Sequence, residues 1–381
     1  MKIGIIGAGF AGVTAAQVAA EAGAEVTLYS AEKMLPYFRP RLPEIAFEKR
    51  SNIAIKPLEW YSEKSINLKL NSEVISFNPD FSVVVSDNSK ENFDALIIAT
   101  GGKSAIPPFA RNSNVKKMFT IWNLSDAIAI SEQAKRGSRV VIIGGGVIGL
   151  ETALRATNMG LDITVIDRNS RLMSRNFGTK ASQVIEALMR KQNVKLLFDT
   201  SVSKVENCTD MTVKISLKNN ENLLCDFVIL SIGAGFDISL ATKAGLNTDK
   251  RIIVDNELRT SSDGIFAAGD IAQFPIPCSA KEALAQGRIA GHNAVAWLTG
   301  EETRTYNPEP VIMRLKHNDF ELYSVGKIPA NSNEERILEF DAAQLYRGCV
   351  YEDNTLSGVQ MVGSDKDFMK LWKEMINSNN A

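Results

Sequence analysis

An α/β architecture is predicted, with one strand–loop–helix unit written twice and a smaller α+β segment after the second copy. Three observations carry this. An apolar strand runs into Gly7-x-Gly9-x-x-Gly12, and another runs into Gly144-x-Gly146-x-x-Gly149. Beyond the glycines the copies stay in step without a gap, GAEVTL at 23–28 falling on GLDITV at 160–165, and FDALIIATG from Phe93 echoes CDFVILSIG from Cys225. From about Thr303 the pattern changes to alternating strands with a terminal helix near 367–376. Together these describe two Rossmann-like domains of three layers (ββα) and a small C-terminal α+β domain.

In chain order, residues 2–7 read as a buried parallel strand, 11–23 as an alanine-rich helix and 25–29 as the second strand. The stretch 34–43, MLPYFRPRLP, holds three prolines and two arginines and reads as an irregular loop. Alternation at 74–77 and 82–85 predicts an antiparallel meander, and 93–99 returns to the parallel sheet. The second unit follows, with a helix at 123–136, a strand at 139–143, a helix at 147–159, a strand at 163–167 and a helix at 181–192. Residues 194–232 are mostly strands, 264–268 form a short strand, and 280–298 read as a helix interrupted by Gly287 and Gly291.

A length of 381 residues suggests two or three domains. Hydrophobic residues at 45% and charged residues at 23% are ordinary for a globular chain. A formal net charge of −1 offers no bulk attraction to nucleic acid or an anionic membrane. No apolar run is long enough to span a bilayer, and the strand at the N-terminus leaves no room for a signal peptide, so a cytoplasmic protein is expected. Cys208, Cys225, Cys278 and Cys349 are scattered, with no C-x-x-C or C-x-x-x-x-C spacing, which removes a redox dithiol from the possible mechanisms. With two histidines, His292 and His317, no metal site is expected.

A pyrophosphate needs unobstructed backbone N–H groups at a positive helix end, and G-x-G-x-x-G supplies both. The alternative is one working unit and a decayed copy. At the end of the second unit's strand, Asp167 suits the adenosine ribose hydroxyls and would repel a 2′-phosphate, favouring NADH, while Arg168 beside it can tolerate NADPH. In the first unit the matching position is Ser30, and Glu32 two residues later either takes the ribose role or is a solvated loop carboxylate.

The ordered set of two glycine loops, Ala99-Thr100-Gly101 after a strand and GIFAAGD at 264–270 resembles the pyridine-nucleotide:flavin oxidoreductases, over essentially the whole chain. Within them, PYFRPRLPE at 36–44 is similar to the NADH:rubredoxin reductases and to flavoprotein parts of nitrite and nitric-oxide reductase systems. The resemblance implies a discontinuous FAD domain at 1–110 and 237–303, an NAD(P)H domain at 111–236 and a C-terminal domain at 304–381. It implies that FAD is held by Gly7, Gly9, Phe10, Ala11, Gly12, Ser30, Glu32, Arg39, Thr100, Gly101, Gly269, Asp270, Gln286 and Gly287. NADH, with NADPH second, falls to Gly144, Gly146, Val147, Ile148, Gly149, Asp167 and Gly233. In that reading Asp270 binds the ribityl chain, and the helix after it aims N–H groups at the flavin N1–C2=O edge.

Glu151 corresponds to a glutamate that lies beside the nicotinamide and flavin N5 in relatives; the alternative is an acid in the first helical turn facing the dipole. In ferredoxin-reductase relatives the loop R-P-P-L-S-K brings a lysine near N5, a position that is Glu44 here, so Arg39 or Arg41 is expected to supply the charge. Without a relay cysteine, hydride passes from NADH to FAD, and the electrons leave singly to a small iron–sulfur or rubredoxin-type carrier. Rubredoxin is the first choice, with a basic docking patch sought among Arg39, Arg41, Arg314 and Lys316. The alternatives are a nitrite- or nitric-oxide-reducing partner, quinones or oxygen as acceptor, and, from another class, a redox sensor. A monomer or homodimer is expected.

Overall fold

The computed structural model describes all residues except 49, 51, 112, 209–211, 276–277, 330–334, 364–367 and 380–381. The chain divides into two compact units, one of Met1–Arg39, Asn52–Lys103 and Ala234–Glu309, the other of Pro40–Ser51, Ser104–Gly233 and Pro310–Ala381.

The first unit is built on a five-stranded parallel sheet in the order Ile265–Ala267, Ala95–Ile98, Lys2–Ile6, Glu25–Tyr29, Ile66–Lys69. The strands Ala95–Ile98 and Ile265–Ala267 are continuous apolar runs because both faces are covered. On one face lie the helices Phe10–Glu21 and Ala280–Thr299, enclosing a core that includes Ile3, Ile5, Val26, Leu28 and Ile97. On the other lies an antiparallel meander, Val74–Phe77, Ser82–Val85 and Lys90–Asn92, closing over Ile6, Tyr29, Leu96 and Ile98.

The second unit repeats the plan. Its parallel sheet runs Lys195–Leu197, Asp162–Ile166, Arg139–Ile143, Phe227–Leu230, Met118–Thr120. The meander Val202–Asn207, Val213–Leu217, Asn222–Cys225 covers one face. In both sheets the strand before the glycine loop is central; the outermost strand on one side comes from far downstream in the first unit and from upstream in the second. The same unit also carries a five-stranded antiparallel sheet, in the order Met313–Lys316, Glu321–Gly326, Thr355–Gly363, Leu345–Glu352, Glu335–Asp341. The helix Phe368–Asn379 packs on it through Phe368, which stacks on Tyr323 at 4.5 Å. The expected start of that helix at residue 367 lies outside the described residues.

Two expectations are corrected. The proline-rich stretch is not irregular throughout: a 3₁₀ turn at Arg39–Arg41 leads directly into an α-helix, Leu42–Glu48. Pro43 is tolerated because N–H groups of a first turn have no intrahelical acceptor, and Glu44 in that turn favours the helix start. The helix Ala280–Thr299 is continuous through Gly287 and Gly291. These glycines let it approach the helix Phe10–Glu21: a Cβ on Gly287 would lie 2.4 Å from the Ala11 carbonyl oxygen, and one on Gly291 2.6 Å from that of Ala15.

An exposed helical glycine gains about 1 kcal/mol when changed to alanine. Here the overlap should reverse the sign, and Gly287→Ala is expected to cost about 1–3 kcal/mol in urea unfolding. A variant more stable than the parent would show that the two helices do not need this contact.

Candidate functional site

The two glycine loops share one construction. Gly7 follows the strand Lys2–Ile6 at φ +109°, and a Cβ there would lie 2.3 Å from the Ala99 carbonyl oxygen. Gly12, inside the helix, comes down on Gly7: its Cβ would sit 1.9 Å from the Gly7 oxygen. In the second unit Gly144 has φ +117° and would meet the Ser231 oxygen at 2.2 Å, while Gly149 would meet that of Gly144 at 2.0 Å. Between these pinch points, Gly9 and Gly146 N-cap their helices with no side-chain cap, and a Cβ on either would face open space. Each loop therefore leaves a positive helix end uncovered, with the N–H groups of Phe10 and Ala11, or Val147 and Ile148, in the first turn. A pyrophosphate fits both ends. Thr100 and Gly101 follow the strand Ala95–Ile98, and Gly233 holds the equivalent place after Phe227–Leu230.

At the second strand ends the copies differ. Asp167 is buried; its Oδ2 accepts the Gly145 N–H at 2.7 Å, and its Oδ1 accepts the Asn169 N–H and Nδ2 at 2.8 Å. The carboxylate thus ties the glycine loop to the strand end. In the first unit Ser30 Oγ accepts the Glu32 N–H at 3.2 Å. Glu32 accepts the Tyr37 hydroxyl at 2.7 Å and pairs with Arg39 at 3.2 Å. Ser30, Glu32 and Arg39 are therefore brought together.

Gly269 and Asp270 form a short 3₁₀ turn after the strand Ile265–Ala267. The buried Gln286 accepts the Gly269 N–H at 2.7 Å. Burial pushes the Asp270 carboxyl above its usual range, against a hydrogen bond from the Cys278 thiol and the charges of Arg251 and Arg39. The half-buried Asp270 carboxylate has acceptor capacity for hydroxyl groups. The N-terminus of the helix after it carries a capping box of Ser279 and Glu282, and Gln286 and Gly287 lie further along, Gly287 against Ala11.

Glu151 is not in the first turn: the helix Val147–Asn158 has no acid there, and Glu151 is one position beyond it. Burial raises its carboxyl pKa, the Arg155 charge and hydrogen bond oppose this, and Glu44 and Glu48 add to the rise. Arg155 places Nη2 at 3.2 Å and Nε at 3.3 Å from Glu151 Oε1, reaches Glu44 at 3.8 Å and bonds Glu48 through Nη1. Glu44 is also paired with Arg41 at 3.0 Å and Arg50 at 2.8 Å. The charge expected from Arg39 or Arg41 thus goes to Glu32 and Glu44, and Glu151 is met by Arg155 instead. Arg155 was missed, although Glu151–Arg155 is an i, i+4 acid–base pair visible in the helix. The sought basic patch is likewise engaged, Arg314 and Lys316 each pairing with Glu321 at 3.2 Å.

All four cysteines are free thiols. Burial pushes Cys225 up to about 12 and Cys349 up to about 11, and raises Cys278 as well. These three are neutral thiols at ordinary pH and poor nucleophiles.

The family profile described as pyridine nucleotide-disulphide oxidoreductase matches residues 1–287. The chain belongs to this family. It is an NAD(P)H-dependent oxidoreductase, with FAD and NADH as cofactors. A second profile, rubredoxin NAD+ reductase C-terminal domain, matches residues 312–380. Rubredoxin-NAD(+) reductase of Pseudomonas putida is 31% identical over 71% of this oxidoreductase and 72% of its own length. NADH-rubredoxin oxidoreductase of Clostridium acetobutylicum is 27% identical over 99% and 95%. Among solved structures, the covalent putidaredoxin reductase–putidaredoxin complex superposes with a TM-score of 0.88 at 25% identity, over 100% of this chain and 93% of that one. No helix among the described residues is long and apolar enough to cross a membrane.

Gln286→Ala in this oxidoreductase should strand the buried Gly269 N–H and cost about 1–3 kcal/mol. The thermal unfolding midpoint is expected to fall accordingly, and an unchanged midpoint would mean that the N–H finds another acceptor.

Proposed function

We propose that this oxidoreductase passes electrons from NADH through FAD to a small carrier protein of rubredoxin type. The observation that carries the choice of carrier is the match of residues 312–380 to a rubredoxin NAD+ reductase C-terminal domain. The neutral state of Cys225, Cys278 and Cys349 supports a route without a thiol relay. In this reading residues 1–110 and 237–303 hold FAD, 111–236 hold NADH, and 304–381 form the third domain. The protein is cytoplasmic, a monomer or homodimer, with neither membrane nor nucleic acid as a partner.

The residues divide the work as follows. Gly7, Gly9 and Gly12, with the Phe10 and Ala11 N–H groups, hold the FAD pyrophosphate at the first helix end. Ser30 and Glu32 serve the ribose, with Arg39 fixing Glu32. Thr100, Gly101 and Gly269 line the same site, Asp270 accepts hydroxyl groups of the ribityl chain, and Gln286 and Gly287 hold the backbone behind it. Gly144, Gly146, Val147, Ile148 and Gly149 hold the NADH pyrophosphate, Gly233 borders it, and Asp167 receives the ribose hydroxyls. Bound FAD supplies the conversion of a two-electron donor into single-electron transfers. Beside a nicotinamide that becomes positive as hydride leaves, the Glu151 carboxylate supplies negative charge, which stabilises that transition state.

A stopped-flow panel tests this. NADH should bleach the flavin faster than NADPH, and rubredoxin should reoxidise it faster than ferredoxin, quinone or oxygen. Failure of NADH to reduce the flavin, or rubredoxin no faster than oxygen, overturns the proposal; slow reoxidation by every acceptor with a change of oligomeric state on reduction would point to a sensor. Glu151→Gln should slow reduction at least about tenfold with FAD retained, the scale of one lost transition-state charge contact.

A further inference from the structure

We infer that Arg155 is the counter-charge and orienting partner of Glu151, filling the role left open where segment 36–44 carries Glu44 in place of a lysine. The inference rests on the reading of Glu151 given above and adds a positioning residue to it.

The geometry is that of a shared cluster within the second unit. Three carboxylates (Glu44, Glu48 and Glu151) meet three guanidinium groups (Arg41, Arg50 and Arg155). Arg41 and Arg50 converge on Glu44, whose side chain is 14% exposed. Arg155 is the cation that reaches across: Nε and Nη2 address one oxygen of Glu151, Nη1 addresses Glu48, and Nη2 also lies 3.8 Å from Glu44. A planar fork of five donors can bind several carboxylates at once while holding one of them in a fixed orientation.

Among the described residues, the charged groups facing Glu151 are Arg155 on its own helix and Glu44 and Glu48 on the helix Leu42–Glu48. The strands under the helix contribute little, since their charged ends are engaged elsewhere, Arg139 with Asp226 and Asp162 with Lys195. On the helix Leu124–Gln133, which packs against Leu42–Glu48, Asp126 accepts from Thr120 and from the Trp122 N–H, and Glu132 is exposed. Removing Arg155 would leave Glu151 beside Glu48 in a partly desolvated place with no facing cation, which favours its protonated form. Arg155 therefore favours the anionic form of Glu151 against burial and its acidic neighbours, the form that assists hydride departure. The repeat shows this to be specific to the second copy. Thr14 and Val18 occupy the first-copy positions that correspond to Glu151 and Arg155.

The sign is fixed. Losing a neighbouring cation raises a carboxyl pKa, so a higher pH is needed to ionise it. Infrared pH titration of the FAD-loaded protein, with the Glu151 band assigned by difference from Glu151→Gln, should show the midpoint rising by about one unit or more in Arg155→Gln. Arg155→Lys should recover most of this shift, and Glu44→Gln should move the midpoint down. In stopped flow, the pH profile of NADH-driven flavin reduction should move upward by the same amount in Arg155→Gln, with the parent rate regained at high pH. An unmoved infrared midpoint in Arg155→Gln, or Arg155→Lys no better than Arg155→Gln, overturns the inference. Unchanged reduction in Glu151→Gln instead rejects the role of Glu151 itself, while the infrared midpoint still decides what Arg155 does.

Discussion

The carbonyl oxygen of Gly7 occupies the place where a side chain on Gly12 would begin, and the Gly144 oxygen does the same for Gly149. This contact brings the start of a helix onto the end of a strand at backbone distance, and much of each unit follows from it. Because the third glycine yields to the first, the helix axis meets the sheet edge with its first-turn N–H groups outward. Because the middle glycine has no side chain, those groups stay uncovered. In the first unit the same use of small residues continues along the helix: Ala11 and Ala15 face Gly287 and Gly291, and a Cβ on Gly269 would stop 3.0 Å from that of Ala11. A second helix is thereby held close behind the loop, and its Gln286 secures the turn that carries Asp270.

The corresponding helix of the second unit is used differently. Where Thr14 sits against Gly287 in the first copy, the second has Glu151, and where Val18 lies, it has Arg155. Tight apolar packing between helices has been exchanged for ion pairs to a short helix, Leu42–Glu48. An alanine–glycine contact suits a loop that keeps its ligand, because it leaves little room to move.

Much of this was legible in the residues. The repeated glycine spacing and the apolar runs before it set the strand–loop–helix units, since few other residues permit so close a turn. Asp167 was legible as a strand-end acid, though not its hydrogen bonds to Gly145 and Asn169. The failures share a cause. Pro36, Pro40 and Pro43 together read as a loop, because proline propensity says nothing about a helix that carries its proline in the first turn. Gly287 and Gly291 read as breaks, because local propensity penalises a helical glycine whose value lies in a neighbour distant in sequence.

The charged cluster was hidden for a related reason. Glu44, at a position where the resemblance implies a lysine, looks like a missing positive charge, and the nearest arginines in sequence, Arg39 and Arg41, look like its source. The structure gives each of those arginines a different glutamate and answers the new carboxylate with more guanidinium groups. Reversing a charge in a partly desolvated place obliges its neighbours to change together, because an uncompensated carboxylate would protonate or be expelled to solvent. Arg155 is the member of that set that also touches Glu151, so the charges gathered around Glu44 reach Glu151 through a residue of its own helix.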